Sequence, residues 1–145
     1  MSENVTTLDN VRARLLESGL EVFRVQGHAV QLAERVRSHI MDAGVSVRVA
    51  AELSANVVVR AQSSDFPTES ADALFTRVRD AIAELAMSRG FREATAQARE
   101  IRDPVDDTRL LDVWYELTFT KSAAEIDGLI DDVRWALRLP KCISR

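Results

Sequence analysis

From Leu111 to Thr120 apolar and polar residues alternate without a break. Leu111, Val113, Tyr115, Leu117 and Phe119 stand against Asp112, Trp114, Glu116, Thr118 and Thr120. A period of two predicts a strand with one buried face. Ser122-Ala-Ala-Glu125 then has the form of a capping box, and Ile126, Leu129, Ile130, Val133 and Leu137 follow at helical spacing before Pro140. The same strand-then-helix grammar is expected earlier: a strand over Leu20–Gln26, a turn at Gly27-His28, and a helix over Ala29–Ala43 with Ala29, Ala33, Val36, Ile40 and Ala43 on one face. Gly44 ends that helix. Val45 to Leu53 alternates cleanly as a second strand. Ala55 to Gln62 follows, either across a hairpin at Ser54-Ala55-Asn56 or as the rest of one bent strand.

The strongest helix runs from Ala71 to Ala86, where Leu74, Phe75, Val78, Ile82 and Leu85 keep the i, i+3, i+4 pattern until Gly90. Arg92 to Ile101 is read as a strand because Ala94, Ala96 and Ala98 alternate and a Pro- and Asp-rich turn, Arg102 to Thr108, follows; a helix also fits this composition. An opening helix over Thr7–Ser18, capped by Thr6 or Thr7, carries Leu8, Val11 and Leu15 and stops at Gly19. The resulting order is α-β-α-β-β-α-β-β-α. It predicts one α+β domain, 1–145, with a mostly antiparallel sheet of about five strands and three to four helices. Residues 1–19 form the first helix, 20–101 a ferredoxin-like βαββαβ middle, and 102–145 a C-terminal strand and helix. One sheet face then needs a cover: the first helix, the last helix or another subunit.

Composition narrows the function classes. The 145 residues suffice for a core without disulfides, and no apolar window reaches membrane-spanning length. No signal peptide is visible, and the lone Cys142 suits a reducing compartment, so a cytoplasmic protein is expected. A net charge of −4 argues against a nucleic-acid binder. The acids are concentrated: ten against three bases between Glu100 and Asp132, a net −7. Such a segment is either a solvated face or a docking surface for a basic partner.

Catalytic signals are sparse. His28 and His39 have no Cys or His neighbour at metal-ligand spacing, and there is no Walker loop, G-x-G-x-x-G or nucleophile–base pairing. Asp103, Asp106 and Asp107 lack the glycine and distal glutamate of a calcium loop and read as turn residues. No cofactor or metal is expected, and a non-enzymatic binding or assembly subunit is the first expectation. Its candidate interface residues are Trp114, Asp112 and Glu116 on the polar strand face, with Trp135, Asp127 and Asp131 on the last helix. Tryptophan there either packs under another element or is offered to a partner. A protein partner or a further copy of the chain is expected.

Two segments resemble known families. Leu20 to Val47, with Gly27, the predicted helix after His28, and Ala43-Gly44-Val45, resembles the first half of an ACT-type regulatory domain, although the Pro-Gly or Asp-rich ligand turn has no counterpart. That resemblance implies a small-molecule site at Gly27, His28 and Ala29. Leu110 to Leu139 is similar in rhythm to the last strand and helix of small phage tail-terminator and connector proteins, which implies a ring-forming structural role.

Overall fold

In a computed structural model, residues 7–139 are described; Thr6 as an alternative cap, Pro140 as a helix stop and Cys142 lie outside them. The described residues are α+β, with three α-helices and a six-stranded antiparallel sheet. The elements are α1 (Leu8–Glu17), β1 (Val22–Gln26), β2 (Ala29–Val36), β3 (His39–Val49), β4 (Leu53–Gln62), α2 (Ala71–Ser88), β5 (Arg92–Arg102), β6 (Leu110–Ala123) and α3 (Ile130–Ala136). The strand order is β1-β2-β3-β4-β6-β5, so β1 and β5 are the edges. Two compact units are distinguished, residues 7–57 with 120–138 and residues 58–119 with 139, and each is described by itself.

In the first unit, Thr7 caps α1 by accepting the Asn10 N–H at 3.2 Å, and Val11 and Leu15 are fully buried. The expected helix over Ala29–Ala43 is instead a β-hairpin. Val30 and Leu32 face the core in strand alternation, and a register shift between Gln31 and Ala33 then turns Ala33 inward as well. That bulge breaks the period of two and leaves apolar residues at a spacing that imitates a helix. Val36 pairs with His39, so Arg37 and Ser38 form a two-residue turn, and both have positive φ (51° and 74°). A type I′ turn requires this, but the usual Asn or Gly that would signal it is missing.

With no helix between β1 and β3, the ferredoxin-like middle is not formed, and among the described residues there are six strands rather than about five. The turn between β3 and β4 lies at Ala50–Glu52, where the Ala50 N–H donates to the Glu52 carbonyl at 3.2 Å. Ser54 and Asn56 already belong to β4, paired with Arg48 and Ser46. Nor does the capping box form. β6 runs on through Ser122 to Ala123, a 3-10 turn occupies Ile126–Gly128, and α3 starts at Ile130 with no side-chain cap. Its apolar stripe is nevertheless buried at Leu129, Ile130 and Val133.

In the second unit, α2 matches its periodicity closely. Ser70 Oγ accepts the Ala73 N–H at 3.2 Å, and Leu74, Phe75, Val78, Ile82 and Ala86 are buried. Gly90, at φ 90°, lets the Phe91 N–H reach back to the Ala86 carbonyl at 2.9 Å and closes the helix. Phe75 stacks on Tyr115 with centroids 4.3 Å apart. That contact fixes the face of β6 that α2 covers: Tyr115, Leu117 and Phe119 point inward, and Trp114 and Glu116 point away. Arg92–Arg102 is a strand, as expected, although its side chains from Ala94 to Glu100 are all exposed.

Candidate functional site: an open sheet face beside an edge strand

Three of the expected interface residues come together on the outer face of β6. Asp112 is the hub. Its Oδ1 accepts the Ser64 N–H at 3.0 Å and its own neighbour's N–H, from Val113, at 2.8 Å; its Oδ2 accepts Ser64 Oγ at 2.8 Å and Trp114 Nε1 at 3.0 Å. Burial acts to raise this carboxyl's pKa, but the Ser64 hydroxyl and the other donors outweigh it and hold the group below the usual aspartate range. Four residues on from Asp112, Arg60 Nε donates to Glu116 Oε2 at 3.0 Å across β4 and β6. Arg60–Glu116 is thus one rung between β4 and β6, and Ser64–Asp112 is a second, from the 3-10 turn Ser63–Asp65 that follows β4.

Between these rungs stands Trp114, 45% exposed, with its polar edge tied to Asp112 and its ring open. It lines a cleft of about 360 Å³ with Arg60, Gln62, Gln97, Arg99 and Glu116. The floor comes from β4 and β6, and Gln97 and Arg99 belong to the edge strand β5. Sequence reasoning did not find Gln62, Gln97 or Arg99, because their part in the cleft depends on β6 lying between β4 and β5. Nothing local to either segment signals that order. Chemically, the cleft offers a flat apolar surface, carboxamides and a cation, which suits contact with polypeptide.

Beyond the cleft, the β5–β6 loop end exposes Val105, Leu110 and Leu111. The loop aspartates are engaged locally. Asp103 Oδ1 accepts the Val105 N–H at 2.8 Å; Asp106 Oδ1 accepts Thr108 Oγ1 at 2.6 Å and its N–H at 3.1 Å, which lowers the Asp106 pKa. Among the described residues no group of three or more His, Cys, Asp or Glu is placed to hold a metal ion.

The other expected residues lie in the first unit. Asp127 is held by Arg14, whose Nε and Nη2 donate to Oδ1 at 2.8 and 2.6 Å, so it anchors α1. Asp131 meets Arg134 at 3.4 Å, and Asp132, only 6% exposed, pairs with Lys121 Nζ at 3.0 Å. Much of this acidity is therefore met within the chain. Trp135 is half-buried on α3. Gly27 and His28 form the tight turn between β1 and β2, with Gln26 paired to Ala29. Gly27 takes the positive φ of 62° that its place in the turn demands. His28 is exposed, and Ala29 opens a strand, so the helix N-terminus on which an ACT-type ligand site would rest is not there.

Among the described residues no helix is long and apolar enough to cross a membrane. Comparison with protein-family models, curated proteins and solved structures returned no match.

Proposed function

We propose that this chain is a non-enzymatic assembly subunit that associates with further copies of itself through the β5 edge and the outer sheet face beside it. Trp114 carries the reading. It is a large aromatic, anchored by its N–H yet open on its ring, beside a strand whose side chains are exposed over seven consecutive residues. Tryptophan set among polar residues is the typical anchor of a protein contact. An unpaired strand edge offers a row of backbone donors and acceptors that another strand satisfies. Leu110, exposed and on the same side of β6 as Trp114 by strand alternation, extends that surface with an apolar side chain.

Trp114→Ala tests this directly. The variant keeps the circular dichroism spectrum of the parent, because the side chain lies outside the core, and loses self-association by about tenfold or more. Equal association of parent and variant would remove Trp114 from the interface and with it the main support for this reading.

A further inference from the structure

The free edge strand β5 reads Arg92-Glu-Ala-Thr-Ala-Gln-Ala-Arg-Glu100. Set antiparallel to a second copy of itself about Ala96, this segment is self-complementary. Arg92 then faces Glu100 and Glu93 faces Arg99, each twice by symmetry, while Ala94 faces Ala98 and Thr95 faces Gln97. Resting on the assembly reading above, we infer that two copies join through their β5 strands in this register, forming a two-fold symmetric dimer with a continuous sheet across it.

Four observations bear on the inference. First, β5 ends the strand order, so its outer edge has no strand partner among the described residues. Second, the centre of the segment is small: alanines at 94, 96 and 98 set no bulky side chain against its counterpart across the two-fold axis. Third, both arginines of the register have side chains without a partner, and both glutamates can take a further donor. Among the described residues, neither the Arg92 nor the Arg99 side chain makes a hydrogen bond or ion pair. Among the described residues Glu100 is met only by Arg102 of its own strand, and Glu93, held by Arg79 at 2.9 and 2.7 Å, is oriented and able to accept a further donor.

Fourth, neighbouring registers are penalised. A slip of one residue sets Arg92 opposite Arg99, or in the other direction Glu93 opposite Glu100. A slip of two toward the C-terminus sets Arg92 opposite Arg102 and leaves both glutamates without a cation. Like charges directly opposite destabilise a strand pair and opposite charges stabilise it, so the pattern selects one register. A two-fold interface is isologous, and a segment that complements itself is what such symmetry requires. The edge charges that commonly keep strands apart here come in an order that attracts a copy of the same strand.

Charge reversal at the outer pair distinguishes this register from association in general. In Arg92→Glu, both residues of that pair are acidic, and in Glu100→Arg both are basic. Each variant alone has an expected dimer dissociation constant about tenfold or more above the parent. An equimolar mixture regains parental affinity, because each mixed dimer restores both opposite-charge pairs. Sedimentation of the parent, each variant and the mixture, with circular dichroism to verify folding, reads all of this. If the parent associates and both variants associate equally well, the register is overturned while the assembly reading stands. If the parent does not associate at any concentration, both are overturned.

Discussion

Trp114 donates its indole N–H to Asp112 Oδ2 at 3.0 Å, and the same carboxylate binds both the amide and the hydroxyl of Ser64. One acid thus fixes the orientation of the most exposed aromatic ring on the outer face and ties the end of β4 to β6. The interface candidate and a structural clamp are the same group of atoms.

That clamp has a pH signature. The Asp112 carboxyl titrates below its ordinary value in the folded chain, so its stabilisation is present above the unfolded value of about 4 and is lost as pH falls through the lower folded value. Asp112→Asn is expected to melt at a lower temperature than the parent at pH 7. The difference shrinks as pH drops below about 4. Melting curves between pH 7 and pH 2.5 check this, and a constant difference across that range would contradict it.

The Arg37-Ser38 turn predicts a gain. Both residues hold positive φ, which costs a non-glycine residue about 1 kcal/mol. Replacing them with Asn-Gly, the pair that a type I′ turn favours, is expected to raise stability by roughly 1 kcal/mol. Were residues 29–43 the helix their spacing suggests, the same change would place a glycine mid-helix and lower stability by about 1 kcal/mol. Denaturant titration gives the sign.

The Lys121–Asp132 pair predicts a loss. Lys121→Met leaves the nearly buried Asp132 carboxylate without this cation, at a cost of roughly 1–3 kcal/mol. Asp131→Asn, which changes an exposed neighbour, is expected to cost less than about 0.5 kcal/mol. Chemical denaturation of the two variants side by side separates a buried acid from a solvated one.

These sites also mark how far the sequence could be read. α2 was legible because its stripe is long, its Ser70 cap is local and Gly90 stops it. β6 was legible because alternation with one covered face is a local property. The hairpin of β2 and β3 was not. A bulge at Gln31–Ala33 removed the period of two just where it was needed, and Arg37-Ser38 form a turn that ordinarily advertises itself with Asn or Gly. The Ser122–Glu125 capping box misled for the opposite reason: the local motif is present, but strand pairing carries β6 through it. In the candidate site, Trp114, Asp112 and Glu116 could be grouped from one strand's alternation. Arg60, Gln62, Gln97 and Arg99 could not, because the sheet order that gathers them is set by packing far from any one of them in sequence.

The absolute mass in solution, measured by light scattering behind a sizing column over at least a hundredfold range of concentration, tests self-assembly most directly. The expected result is a mass of twice the 16.2 kDa chain, or a multiple of it, that falls toward the single chain on dilution and falls further when salt screens the strand-edge charges. A mass of one chain at every concentration would contradict the account.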